Sequence, residues 1–412
     1  MGLKSKSVVS NFTMASIAVA DAADANVDSA MKEPTSHCIL AFYKFVETPI
    51  EGTTALPELR AKVTEILRFE QARGNVLLAA EGTNGTVCYP LEKQSEQNRV
   101  LQFLQEIFPG IRTRISWSEK SVFTRLKVKI KNEIVTMGLV AAADQQAVEL
   151  LQASPGEYVP PDQWNALIRD PNVLVVDTRN EYEISLGTFA NAVNPSTESF
   201  VEFPAWIDQQ LSNQQEQQDE QQKPKAIAMF CTGGIRCEKA TAYCRKALQQ
   251  QQQQASSAAS AADIPVYHLE GGILAYLDTI PATESLFRGD CFVFDQRLAV
   301  QTGLEPVAAD KYSLCHACRA VLRSQDLESG RYEAGISCPS CWEHRAERKA
   351  RYRERQRQID LSLQRGTLHL HDSKEQPATA PSCKKQPTAT TTIIREQEPS
   401  TTALPNAQTL AT

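Results

Sequence analysis

A chain of 412 residues exceeds what one hydrophobic core organises, so two or three domains with tails are expected. Hydrophobic residues at 42% and charged ones at 22% suffice for buried cores, but the longest apolar runs are too short to span a bilayer, so the chain reads as soluble, with no membrane association. The formal net charge of -6 excludes a uniformly basic nucleic-acid coat while leaving room for a local basic stripe, and eleven cysteines in this length do not make a secreted disulfide framework.

Residues 1–36 carry small and polar residues with several Asp, and lack the charged start and continuous apolar block of a signal peptide. They read as a disordered leader, with the cytoplasm as the default location. The opening MGLKSKS has Lys6 where a myristoylation signal takes Ser or Thr. From Cys38 the order is strand (CILAFYKFV), helix (LPELRAKVTEILRFEQAR), strands (NVLLAAEG, GTVCYP), helix (VLQFLQEIF) and strands (IRTRISWS, FTRLKVKI). That order predicts a ferredoxin-like, acylphosphatase-like α+β domain over 37–145. Within it FTRLKVKIK alternates Arg125, Lys127, Lys129 and Lys131 with Leu126, Val128 and Ile130, so one strand face is basic and the other apolar. A row of cations suits an RNA phosphate backbone; a merely solvated strand face is the competing reading. Glu81 and Asn84, in EGTNG, stand beside glycines, where Asn is ordinarily a turn former.

A second unit is expected over 155–290, where helix DQWNALIRD, strand VLVVD, strand AIAMF, a helix from Arg236 and strand VYHL alternate as in a parallel α/β sheet. Two Gln-rich stretches inside it, Gln209 to Gln222 and Gln249 to Gln254, read as surface insertions. Residues 291–342 form a cysteine-rich segment in which Cys315 and Cys318 make one CxxC pair and Cys338 and Cys341 another, the spacing of a zinc ribbon. Four thiolates leave no open coordination position, so the expected zinc is structural; an iron–sulfur cluster is the second choice. His316, inside the first pair, is not counted as a ligand. Residues 343–412 read as a basic helix followed by a disordered tail.

Chemistry is expected at IAMFCTGGIRCEKA, where Cys231 ends an apolar strand just before a glycine turn and an amphipathic helix. The loop amides of Thr232, Gly233, Gly234 and Ile235, the helix start and Arg236 would stabilise an anionic sulfur. Gly233 and Gly234 are expected to keep Cβ atoms out of that cradle. Cys237 is close enough in sequence to resolve an oxidised or persulfidated Cys231. Cys38, Cys88, Cys244, Cys291 and Cys383 have no partner pattern and read as small buried hydrophobes or inert tail thiols.

The same residues resemble the rhodanese superfamily. VVDTRNEYEISLGTFANAVNP is similar to its early Asp-x-Arg and Gly-containing segment, VYHLEGGILAYL to its closing strand and helix, and CTGGIR has the six-residue active loop of its sulfur-handling members. The resemblance implies that Cys231 carries a persulfide or attacks a substrate, that Arg236 and the loop amides hold the anion, and that Asp177 and Arg179 brace the loop. The longer string CTGGIRCEKA, with AAEGTNGTV before it and GGILAYL and FVFDQR after it, is similar to the tRNA uridine hydroxylase family over roughly residues 37 to 342. This implies oxygen-dependent conversion of the wobble uridine (position 34) of tRNA to 5-hydroxyuridine. Molecular oxygen and an unidentified reductant would be cosubstrates, and no flavin or haem motif is present. Two alternatives stand beside it: a rhodanese-type sulfurtransferase carrying persulfide on Cys231, and a non-catalytic RNA-binding scaffold. The scaffold would be expected to lack the loop Cys or Arg, and both are present.

Overall fold

Alternating burial along the first strand sets the first layer. In β1 (His37–Phe45), Cys38, Leu40 and Phe42 point into one core while Ile39, Ala41 and Tyr43 point to the opposite face. The computed structural model describes residues 36–50, 52–91, 97–138, 154–216, 224–254 and 264–364. Residues 1–35 of the expected leader (1–36), the tail from 365 and Cys383 lie outside them. Up to Arg348 the described chain forms one compact unit.

Helix α1 (Ala55–Phe69) presents Leu56, Leu59, Val63 and Leu67 at helical spacing to the core, with Val63 and Leu67 fully buried. The expected helix ran on to Arg73. It stops at Glu70 because Gln71 takes a left-handed φ of 54° and Arg73 already begins the next strand. β2 (Arg73–Ala79) and β3 (Gly82–Pro90) form a tight antiparallel hairpin. Its turn lies at Ala80 and Glu81 rather than at the Asn–Gly pair, so Asn84 is a strand residue facing Leu77 and Tyr43. Gly82 (φ 138°) starts that strand where a Cβ would meet the Lys44 carbonyl oxygen at 1.9 Å. After α2 (Arg99–Ile107), capped by the Asn98 side chain accepting from Leu101 N–H at 3.0 Å, come β4 (Arg112–Ser118) and β5 (Leu126–Ile130). The sheet order β4-β1-β3-β2-β5 is the expected ferredoxin-like arrangement, with β5 added parallel to β2 at one edge.

The second layer is a parallel sheet of β6 (Glu157–Val159), β7 (Val173–Asp177), β9 (Ala226–Phe230) and β10 (Val266–Leu269) in the order β6-β10-β9-β7. The short strand β8 (Gly187–Phe189) lies outside it. β9 is apolar throughout and buried on both faces, as a central parallel strand should be. Helices α3 (Pro161–Ile168), α4 (Glu181–Ile184), α5 (Phe203–Glu216), α6 (Ile235–Gln254) and α7 (Gly272–Thr279) surround it, giving one core with Met229 and Ile207 and another with Trp164, Phe189 and Tyr276. The Gln-rich stretches, read as surface insertions, begin inside helices. Gln209 to Glu216 and Gln249 to Gln254 are the last turns of α5 and α6, in keeping with the good helix propensity of Gln; their continuations, 217–223 and 255–263, lie outside the described residues. Residues 291–344 add short hairpins that bury Phe292, Val307 and Tyr312 against Leu186. A helix, Arg345–Gln364, follows, and residues from Lys349 form a separate unit. Among the described residues no helix is long and apolar enough to cross a membrane.

Candidate active site

The loop that carries Cys231 hangs between the end of β9 and the start of α6. Its carbonyls are held from behind: Ile273 N–H donates to the Cys231 carbonyl at 2.9 Å and Leu274 N–H to that of Thr232 at 3.0 Å. With the first turn of α7 holding those carbonyls, the loop amides are free to turn toward the sulfur, and Gly234 N–H donates to Cys231 Sγ at 3.1 Å. Gly234 needs its missing side chain, because φ is 95° and a Cβ would lie 3.1 Å from the Tyr43 hydroxyl. Gly233 does not: its φ is ordinary and a Cβ would meet nothing within 4 Å, so the expectation that both glycines keep the cradle clear holds for Gly234 alone.

Cys231 is 0% exposed. Burial opposes its ionisation, but a hydrogen bond from the Cys237 thiol, the Arg236 charge and the amides of Cys237 and Gly234 outweigh it and pull the thiol down, to about 6. Cys237 is pushed the other way, by burial and by the neighbouring sulfur, and keeps its proton. It also contacts the Thr178 hydroxyl at 3.7 Å. The structure therefore brings together the two cysteines that the sequence places six residues apart. Burial raises the thiols of Cys38 and Cys88, and raises Cys244 and Cys291 to about 12, which fits their reading as inert.

Arg236 is not free in the loop. Its guanidinium makes a two-pronged pair with Glu183 at 2.7 and 2.8 Å and also touches the Thr232 hydroxyl at 3.3 Å. Glu183 accepts from Thr232 as well, at 3.2 Å. Burial would raise the Glu183 carboxyl, yet the Arg236 charge and hydrogen bonds hold it low, so the pair is ionised. Sequence reasoning missed Glu183; its only local sign is its position in the first turn of α4, just after the Asp-x-Arg segment. Asp177 and Arg179 form a second buried fork at 2.9 and 2.7 Å, extended by Thr188 to Asp177 at 2.7 Å and by Arg179 to the Gly187 carbonyl at 2.6 Å. These contacts tie the end of β7 to β8, beside the strand that carries Cys231.

The ferredoxin-like sheet closes over this loop and makes a cleft of about 1130 Å³. Lys239, one turn beyond Arg236, reaches the buried carboxylates of Glu81 at 2.9 Å and Glu133 at 2.7 Å, and the Val135 carbonyl at 2.9 Å. Tyr43 donates to Glu238 at 2.8 Å, Arg112 pairs with Glu238 and Glu270, and Arg114 pairs with Asp278 at 3.1 Å. The segments EGTNG and CTGGIRCEKA thus meet through Glu81 and Lys239. A buried cation with two carboxylates around it is costly to break, about 3–5 kcal/mol when one partner is removed.

Cross-strand register shows which face the basic strand presents. Lys127, Asn75, Thr86, Ala41 and Arg114 lie in one row across the sheet, and Lys129, Leu77, Asn84, Tyr43 and Arg112 in another. Asn75, Leu77, Ala41 and Tyr43 line the cleft, so Lys127 and Lys129 sit on its face one strand further out. Arg125 and Lys131 flank the two ends of β5.

Away from the cleft, the Sγ atoms of Cys315, Cys318, Cys338 and Cys341 all lie within 4.8 Å of one another, with closest pairs at 3.6, 3.7 and 3.9 Å. A tetrahedral zinc with bonds of about 2.3 Å needs sulfurs roughly 3.8 Å apart, so the four residues fit a metal.

Residues 37–134 match the family model described as UPF0176 acylphosphatase like domain, and residues 160–279 the Rhodanese-like domain model. A protein of Acaryochloris marina (strain MBIC 11017) named tRNA uridine(34) hydroxylase is 42% identical over 334 residues, spanning 80% of this chain and 95% of that protein. Proteins of the same name from Rhizobium leguminosarum bv. trifolii (strain WSM2304) and Albidiferax ferrireducens (strain ATCC BAA-621 / DSM 15236 / T118) are 41% and 43% identical. They span 81% and 84% of this chain, and 96% and 99% of their own lengths.

Proposed function

The chain belongs to the tRNA uridine(34) hydroxylase family, and from that membership we propose that it is an oxidoreductase that converts uridine 34 of tRNA to 5-hydroxyuridine in the cytoplasm. The observation that carries the reading is the cleft, where a thiolate-favouring Cys231 faces the open side of a sheet with cations at both edges. Molecular oxygen supplies the new hydroxyl oxygen, and a two-electron reductant takes the other oxygen atom to water. Within that chemistry Cys231 adds through its sulfur to carbon 6 of the uracil, opening the 5,6 double bond and leaving carbon 5 electron-rich. After oxygen transfer, loss of the carbon 5 proton to water and of the sulfur from carbon 6 as thiolate restores the 5,6 double bond. Cys237, still protonated beside Cys231, is placed to donate to the displaced thiolate or to resolve an oxidised one. Glu183 holds Arg236, and Asp177 and Arg179 hold the strand ends, so these residues position the loop rather than react.

The test is mass spectrometry of tRNA nucleosides from cells that lack the native hydroxylating activity and are supplied with this protein. 5-Hydroxyuridine supports the hydroxylase; a thiolated uridine in its place would make the protein a sulfurtransferase, and an unmodified base would leave it a scaffold.

Phosphates of the bound tRNA run along the β5 edge, against Lys127 and Lys129 with Arg125 and Lys131 beside them. Replacing Lys127 and Lys129 by Gln is expected to weaken tRNA binding and to flatten the slope of log affinity against log salt by about 0.7–0.9 per lost contact. An unchanged slope in filter binding would place the phosphates elsewhere.

The cysteine quartet holds zinc in a closed, purely structural site, which orders a segment whose own core is little more than Leu322 and the four sulfurs. About one zinc per chain is expected by elemental analysis. Cys318→Ser is expected to abolish it and to make the segment after Tyr312 the first site of proteolysis. Visible absorbance with iron in place of zinc would overturn this.

A further inference from the structure

The hairpin of β11 (Cys291–Phe292) and β12 (Ala299–Val300) carries the motif FVFDQR at its tip. Its turn is tied from every side. Val293 N–H donates to Leu298 O at 2.8 Å, Leu298 N–H to Asp295 O at 3.2 Å, and Gln296 N–H to Val122 O of the neighbouring domain at 3.0 Å. Arg297 forks onto Asp295 at 2.9 and 2.6 Å, with both side chains nearly buried. Phe292 and Val293 are buried beneath. From this frame Phe294 projects with 60% of its surface exposed, touching the Phe292 ring edge-on at 5.1 Å.

A lone exposed apolar side chain is ordinary. Phe69 is more exposed, at 70%, but it ends α1, does not line the cleft and has the Arg99 guanidinium over its ring. Phe294 differs in two ways. Its exposure is imposed by a rigid turn, and it lines the same cleft as Cys231, together with Val201, the other large apolar residue of that cleft left over a third exposed. A cleft of about 1130 Å³ exceeds the roughly 300–1,000 Å³ of an ordinary small-molecule site, so it has room for more than the target base.

We propose that Phe294 is a stacking platform for a nucleobase of the single-stranded tRNA loop that presents uridine 34. Proteins that recognise unpaired RNA splay bases out and stack them on aromatic rings, and every base offers a face for this. Val201 gives the same cleft a second exposed apolar surface, and the cations of β5 serve the phosphates on the opposite domain. Phe294 would thus be a positioning residue; it makes no bond at the reacting carbon. The inference rests on the hydroxylase reading above.

The test uses the full-length protein and an anticodon stem-loop RNA carrying uridine 34, with Phe294→Ala, Phe294→Leu and Phe294→Tyr. Stacking predicts that Ala and Leu each weaken RNA binding roughly 5- to 150-fold, while Tyr binds as the unaltered protein does, with melting temperature and oligomeric state unchanged in all three. Full binding by Leu would overturn it, since an apolar plug needs no aromatic face. Full binding by Ala, a lowered melting temperature, or a change of oligomeric state would equally overturn it. Unaltered protein that hydroxylates tRNA while the Ala form binds normally would sink this inference and leave the hydroxylase standing. Unaltered protein that neither binds nor modifies tRNA would remove both.

Discussion

Cys231→Ser is expected to abolish 5-hydroxyuridine formation, by about a thousandfold or more, the scale on which loss of a covalent nucleophile acts. Serine is near enough in size to leave the loop intact, and the hydrogen bond from Gly234 N–H at 3.1 Å has an oxygen to accept it. What disappears is the anion: a hydroxyl does not ionise where the thiol, helped by Cys237, Arg236 and two amides, is brought down to about 6. Nucleoside mass spectrometry of tRNA exposed to the two forms measures the effect. Turnover by the serine form at the rate of the unaltered protein would rule out a sulfur nucleophile. The thiolate carries its own pH signature. Because the folded value lies below the unfolded one, the stabilisation it contributes is fully present above about 8.5 and is lost as pH falls through about 6. Alkylation of Cys231 by a small neutral reagent, followed by peptide mass spectrometry, should therefore fall off around pH 6. A fall near pH 8.5 would mean an ordinary thiol.

Gly272→Ala is expected to be as disruptive to the site although it lies outside the reactive loop. A Cβ there would sit 2.5 Å from the Cys231 carbonyl oxygen, 2.7 Å from that of Thr232 and 2.8 Å from Gly233 N, and φ is 66°. All three neighbours are backbone atoms, which cannot swing aside as a side-chain tip could. The left-handed φ alone costs about 1–3 kcal/mol for a non-glycine residue. The overlap adds to this by pushing the start of α7 off the carbonyls it holds at 2.9 and 3.0 Å. We expect hydroxylation to fall about a hundredfold or more, as misplacement of a reacting group by about 1 Å can cost, together with a clear drop in melting temperature. Gly233→Ala is the control, because its Cβ meets nothing within 4 Å and its melting temperature should stay put. A Gly272→Ala form with full activity and unchanged melting would show that α7 does not set the loop.

Much of the fold was legible along the chain. The alternation in β1, the helical spacing of Val63 and Leu67, the uniformly apolar β9 and the paired CxxC spacing are local patterns, each written within a few residues. Errors fell where local preference met tertiary demand. Asn84 beside Gly85 reads as a turn, yet it lies in β3, with its amide donating to the Ile134 carbonyl at 2.9 Å, because the chain has already turned at Ala80 and Glu81, where Glu81 takes up Lys239. The Gln-rich stretches read as surface insertions by composition, and only the tertiary structure shows that their first turns carry on α5 and α6, whose Leu211 and Leu248 are buried.

By itself, then, the sequence determined the domain order, the strand-end cysteine with its glycine turn, the cysteine quartet and the basic strand, because each is carried by neighbouring residues. Tertiary structure alone decided what faces them. Arg236 meets Glu183 across 53 residues, and Lys239 meets Glu81 across 158 and Glu133 across 106. Lys127 and Lys129 come onto the cleft face only through the register of β5 on β2. No period or motif encodes such pairings. They arise when two cores close on each other and every charge caught between them must find a partner, since an unpaired buried charge costs more than the fold can spare.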